Sequence, residues 1–388
     1  MRTMKHLFYA GLALTALASC SQDETTNVDK TGAIGFRTSL GKITRAVTTL
    51  ANMGSFNVTA VPTAGGANYF TNLAVNDASG TWNTAATYYW PGASLNFTAY
   101  APTSINGLVT INQTTQKIIG FEADAAVANQ KDVVAAFNAG SKSTVVGSST
   151  FGVAGVPMNF KHILSQIEVK AKCSNANLRV QVVGVKLGNV YSKGDFTFPQ
   201  AETTSTYSVP RTNWGNLSAA RDYGVQSGAP VTAVTLDNTV KSIMFGTDNF
   251  MMIPQDLTAY NAASATSGSY IGVLCRMDMN DGSGNYTPLF PSATTTEYAF
   301  AAVSIDTEWM PGKKYIYVLE FGNGSAGNGG GGIVPPNQND PVPGGGSTTP
   351  VNPTIPSPAT PGTPILDQPI KFTVTVENWS DQTENVNM

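Results

Sequence analysis

The sequence predicts an all-β protein: two β-sandwich domains in tandem, a flexible linker and one further strand at the C-terminus. Three observations carry this. Apolar and polar residues alternate with period 2 in short segments, turn formers bound those segments, and the composition disfavours helices. Charged residues make up only 12% of the chain, against 38 glycines and 22 prolines, and Thr, Ser and Asn are abundant. That balance suits strands and turns better than helices with charged faces. At 388 residues the chain is long enough for two cores of ordinary domain size.

The N-terminus reads as an export signal. Arg2 and Lys5 precede the apolar run 7–17, which is too short to span a bilayer as a mature helix. Its end, Leu17-Ala18-Ser19-Cys20, matches the bacterial lipobox, in which the cysteine thiol receives diacylglycerol before cleavage. Two acyl chains on the Cys20 sulfur and one on the new amine give lasting membrane attachment. A plain secretory peptide ending near Ser19 is the alternative. Residues 1–20 are thus the signal peptide, and 21–45 a tether that includes a removable strand.

The domains follow. Residues 46–172 form the expected first sandwich and 173–321 the second, with strands at 56–60, 95–100, 167–171, 180–182 and 315–319. Trp90-Pro91-Gly92, Gly65-Gly66 and Pro311-Gly312 supply turns. The best helical candidates, 123–136 and 218–223, are brief and poorly amphipathic, so helices are expected only as connections. Residues 322–369 are rich in Gly and Pro and bury too little apolar surface to order themselves. As a flexible coil those 48 residues would have an end-to-end distance of about 40 Å. Beyond them, in residues 370–388, Ile370, Phe372, Val374 and Val376 alternate with polar residues. A lone strand is not stable, so this one must join a sheet in its own molecule or in another.

The same code stands near the other end. Ile34, Phe36, Thr38 and Leu40 follow I-x-F-x-T-x-L, and the C-terminal strand reads I-x-F-x-V-x-V. Side chains alternate across a strand, so one groove would accept either segment. A solitary arginine, Arg45, follows the first copy and precedes Ala46. A cut between them would let residues 34–40 leave, opening an apolar slot and a row of unpaired backbone groups that invites strand addition. Four apolar side chains entering such a slot would contribute about 6 to 12 kcal/mol before ordering entropy is counted. Repeated head to tail, the contact is heterologous and generates a fibre.

Several function classes are disfavoured. The formal charge of −3 and pI near 5.4 provide no basic surface for nucleic acid. After Cys20 only Cys173 and Cys275 remain, and the exported chain keeps one histidine, His162, which together make no Cys/His zinc site. The two cysteines read as buried free thiols, with a disulfide as the alternative. His162 reads as a core or strand-end residue. Residues 322–327 match G-x-G-x-x-G but lie in linker glycine without a following helix. Residues 278–285 carry calcium-loop residue types with the glycine misplaced and no glutamate at the twelfth position, so a hairpin turn is expected. No G-x-S-x-G, cofactor motif or acid/base pair stands out, and the chain reads as a non-enzyme with no cofactor and no metal.

Five stretches add a resemblance: Ile43-Thr44-Arg45-Ala46, YYWPGASLNFTAYAP at 88–102, MNFKHILSQIEVKAK at 158–172, WMPGKKYIYVLEFG at 309–322 and PIKFTVTVENW at 369–379. With the lipobox, and in this order, the chain resembles the fimbrillin family of Bacteroidales, the subunits of type V pili. The resemblance implies transthyretin-like sandwiches and a lipoprotein precursor carried to the outer membrane through Cys20. It implies cutting between Arg45 and Ala46 by an arginine-specific surface protease, release of the strand at 34–40, and polymerisation through Ile370, Phe372, Val374 and Val376. The partners implied are other pilus subunits, as stalk or tip of a surface fimbrium serving adhesion. The rival reading is a glycan-binding lipoprotein anchored at the outer membrane, with Tyr88, Tyr89, Trp90 and Trp309 stacking on sugars.

Overall fold

The computed structural model of the chain describes residues 32–40, 48, 50–260, 268–291, 298–322, 331–333 and 370–378. Cys20, Arg45 and Ala46 lie outside the described residues, as do Trp379 and most of the Gly/Pro-rich span.

Strands dominate the described chain. The first is β1 (Phe36–Leu40), followed by β2 (Ser55–Pro62), β3 (Phe70–Ala78), β4 (Thr81–Thr84) and β5 (Leu95–Ala101). Next, β6 (Val109–Ile111) and β7 (Gln116–Glu122) leave for another sheet. β8 (Val134–Gly140) returns, β9 (Val145–Val146) and β10 (Ser149–Thr150) form a small flap, and β11 (Val156–His162) closes this part. Among the described residues the first sheet has seven strands in the order β1-β11-β8-β5-β2-β3-β4. The helices α1 (Leu50–Met53) and α2 (Phe151–Ala154) are single turns.

The second half supplies β12 (Ser165–Cys173), β13 (Leu178–Thr197), β14 (Trp214–Gln226), β15 (Val234–Thr235), β16 (Lys241–Ser242), β17 (Phe250–Met252) and β18 (Tyr270–Asn280). It continues with β19 (Tyr286–Phe290), β20 (Ala299–Ser304), β21 (Lys313–Phe321), β22 (Gly331–Ile333) and β23 (Lys371–Asn378). A five-stranded sheet runs β16-β12-β21-β23, with β17 also on β12. A nine-stranded sheet runs β22-β20-β18-β13-β7-β6, with β14 and β15 on β13 and β19 on β18.

Burial explains the layering. The inward residues Ile167, Val169 and Ala171 of β12 and Tyr315, Tyr317 and Leu319 of β21 share one core cluster with Val180, Val182, Val273, Cys275 and Ala301 of the nine-stranded sheet. These two sheets therefore enclose a common core. The strands β2, β5 and β8 are buried almost throughout, because the two faces of their sheet join different clusters. Phe97 and Ala99 face one cluster, and Tyr100 faces another made with Ile118, Phe196 and Trp214. Edge strand β4 keeps an alternating, half-exposed pattern instead.

The pairings depart from the sequence reading at three places. Sheet membership changes at residues 163–164, between β11 and β12, rather than at 172/173, and all three partners of β12 lie later in the chain. The long β13 pairs with β18 along its first half and with β7 near its end, so one sheet draws strands from both sides of that boundary. Within the span read as linker, Gly331–Ile333 adds to the edge of β20. Neither helical candidate is helical. Residues 218–223 lie inside β14, which is bonded to β13 through two register shifts and takes left-handed backbone at Asn216 and Ala219. Residues 123–136 hold one short 3-10 turn, Val127–Asn129, before entering β8.

Residues 281–285 form the turn of the β18–β19 hairpin, and buried Asp278 is held by Arg179 and Arg276 at 2.8 and 2.7 Å. Cys173 and Cys275 are buried free thiols, both pushed up from the ordinary thiol range by burial. Trp309 is fully buried, and its indole N–H donates to the Tyr317 hydroxyl at 3.0 Å. Trp309→Ala leaves a cavity at this point and is expected to lower stability by about 3 to 5 kcal/mol, read by denaturant unfolding of the full chain.

Candidate functional site

The site suggested by the sequence is a pair of strands, and each lies at a sheet edge. β1 flanks β11 in parallel, with Phe36 beside Val156, Thr38 beside Met158 and Leu40 beside Phe160. Ile34 and Phe36 are buried, Thr38 and Leu40 half-buried, and Gly35, Arg37 and Ser39 exposed. The alternation follows from strand geometry, which sends every second side chain to one face. Phe36 meets Phe56 and Phe97 edge to face at centroid distances of 6.1 and 6.0 Å. Such pairs add modestly to the area they bury.

The segment leading into β1 is bonded on two sides. Ile34 N–H donates to the Tyr88 carbonyl at 2.7 Å, Trp90 N–H donates to that of Gly32 at 3.1 Å, and Val156 N–H donates to that of Gly35 at 2.8 Å. Gly155 makes the last contact possible. Its φ is +80°, and a Cβ there would lie 3.1 Å from the Gly35 carbonyl carbon and oxygen.

β23 flanks β21 in the antiparallel sense over eight residue pairs, from Lys313–Asn378 to Glu320–Lys371. The last strand thus joins a sheet of its own molecule. Ile370 is buried in the core shared by the five- and nine-stranded sheets, and Phe372 and Val374 pack against that core while half-buried. Phe372 sits 6.1 Å from the Tyr317 ring. Val376, at the end of the apolar code, is 52% exposed.

A contact invisible in the sequence ties the chain just beyond Arg45. Buried Asp132 accepts from the Thr48 backbone N–H at 3.1 Å through Oδ2, and the same oxygen lies 2.7 Å from His162 Nδ1. His162 ends β11, so it is a strand-end core residue, and Thr48 is bonded beside the strand that carries β1. Asp132 and His162 are 30 positions apart with no motif between them, and only β8–β11 pairing brings them together.

The aromatics considered for sugar stacking form no common platform. Trp309 is interior, Tyr88 and Trp90 pack against the core of the first sheet, and Tyr89 is the exposed member of the four. Among the described residues no group of three or more His, Cys, Asp or Glu could hold a metal, and no helix is long and apolar enough to cross a membrane. Gly155→Ala should loosen β1 selectively: amide exchange at residues 34–40 should rise at least several-fold while that of β23 is unchanged.

The chain shows similarity to known proteins. A fimbrial protein of Bacteroides vulgatus is similar in structure with a TM-score of 0.49 and 16% identity, over 90% of this chain and 100% of that one. A Bacteroides ovatus protein ascribed to cell adhesion gives 0.39 and 16%, over 74% and 91%. A Parabacteroides distasonis protein with the same ascription gives 0.46 and 11%, over 91% and 98%. No curated protein matches the chain. The sequence matches the family described as fimbrillin-like over residues 44–335, three quarters of its length, and the chain belongs to that family.

Proposed function

We propose that the protein is a structural subunit of a cell-surface fimbrium, built of two transthyretin-like sandwiches, that polymerises by exchanging an edge strand. It has no enzymatic role in this reading. Membership of the fimbrillin-like family supports the surface and fimbrial part. The observation that carries the exchange is the placement of two segments with one side-chain code. Residues 34–40 fill one sheet edge and residues 370–376 fill another, each as a single terminal strand.

In this reading the events run in order. Lipid on Cys20 holds the precursor at the outer membrane. An arginine-specific surface protease cuts between Arg45 and Ala46, which severs β1 from the body of the chain. Thr48 stays fastened to Asp132, so displacement ends before residue 48. The freed edge of β11 then accepts Ile370, Phe372, Val374 and Val376 of a neighbouring subunit. The acceptor slot and the donor strand lie on different sheets of one subunit, so each copy can bind two others and a fibre grows. Its place as stalk or tip and the surface it adheres to are read by experiments on assembled fibres.

Limited digestion of the purified precursor with a trypsin-like protease is expected to give a new N-terminus at Ala46 and then oligomers of rising mass. Arg45→Ala should abolish both. Deletion of residues 370–388 should leave the cut intact and abolish the oligomers. Oligomers that form without the cut, or without the last strand, would contradict the proposal.

A further inference from the structure

We infer that Thr38 and its counterpart Val374 set the direction of exchange, because the slot beside β11 suits an apolar side chain where the resident strand carries a hydroxyl. This rests on the exchange reading above. Thr38 points inward opposite Met158, itself fully buried, and its Oγ1 is shielded from solvent with no hydrogen-bond partner. A buried hydroxyl without a partner forfeits its hydration and gains nothing in return. Valine has nearly the same shape as threonine and no polar atom. Val374 is the third residue of the C-terminal code, as Thr38 is of the N-terminal one, so exchange removes the unpaired hydroxyl.

Two further observations point the same way. In its own molecule the C-terminal strand is incompletely covered: Val376 is 52% exposed, and half-buried Phe372 lines an open hollow of about 690 Å³ with Val318 and Lys172. The first code position is covered alike in both sites, Ile34 at 6% and Ile370 at 3% exposed, but in the β1 slot Phe36 is only 8% exposed against half-buried Phe372, and the fourth position, Leu40, is half-buried. The incoming strand also fits the slot sterically when it runs in the direction of β1. Lys371 would take the place of Gly35, where a Cβ meets nothing closer than the Gly155 Cα at 3.9 Å. Thr373 and Thr375 would take the exposed places of Arg37 and Ser39.

The test uses the full chain with Thr38→Val, with Val374→Thr and with both. Before cutting, Thr38→Val should raise the melting temperature by about 2 °C, whereas Val374→Thr, at a half-exposed position, should hardly move it. After cutting at Arg45, Thr38→Val should slow loss of the severed β1 segment, followed by native mass spectrometry, by roughly tenfold. Val374→Thr should slow oligomer growth by a similar factor, and the double variant should be slowest. A lowered melting temperature for Thr38→Val, or release and growth at wild-type rates in both single variants, would overturn the inference. Growth of wild-type oligomers without residues 370–388 would overturn the exchange reading instead. The two failures are distinguishable because the melting comparison involves no exchange.

Discussion

A sheet edge that is apolar on its inner face is unfavourable to leave bare: its backbone donors and acceptors and its exposed core side chains favour cover by a strand. That constraint acts at β11 and at β21, and the rest of the organisation follows from how the chain meets it. β1 covers the first edge in parallel and β23 covers the second antiparallel, each by one terminal segment. A terminal segment carries little of the surrounding fold, so removing it leaves the remaining six strands of the first sheet paired among themselves. The interior of the molecule, by contrast, is tied together by β13, whose twenty residues pair with strands from both parts of the chain.

Local detail matches that division between a fixed body and replaceable edges. Of the side chains β1 contributes to the core, Phe36 makes ring contacts with Phe56 and Phe97, and Thr38 adds an unpartnered hydroxyl at the same interface. Gly155 lets the backbone approach closely at the entrance of β1, while the Asp132–His162 pair grips Thr48 at the far end of β11. The segment between these points is where the sequence places Arg45.

Much of the fold was legible in the sequence. Period-2 alternation located β2, β5, β12, β13 and β21, and the shared I-x-F code located both terminal strands without any knowledge of their partners. Side-chain direction in a strand is fixed by local geometry, so it survives in the sequence. What was illegible depends on pairing at a distance. The helical candidate at 218–223 became strand because β13 offered it a ladder, tertiary pairing overriding a weak local pattern. The membership of β12, and of β7 with β6 hairpinned to it, is set by partners far along the chain. Asp132 gained its role only when β8 came to lie beside β11. Of the candidate site, inward and outward faces could be read from the sequence, whereas the parallel sense of β1, the home sheet of β23 and the unpaired Thr38 hydroxyl could not.

In the proposed fibre, residues 370–376 of one subunit replace residues 34–40 of another beside β11. In the uncut molecule Ser39 lies beside Asn159 and its hydroxyl bonds the Asn159 side chain, whereas Thr375 lies beside Ile316. The code aligns Thr375 with Ser39. A chain carrying Asn159→Cys and Thr375→Cys, with Cys20→Ser, tests the claim by oxidative cross-linking before and after the cut at Arg45. Reducible ladders of linked subunits that appear only after cutting, with mass spectrometry placing the bond between positions 159 and 375 of different copies, are the predicted result. Oligomers that form after cutting without that bond would contradict it.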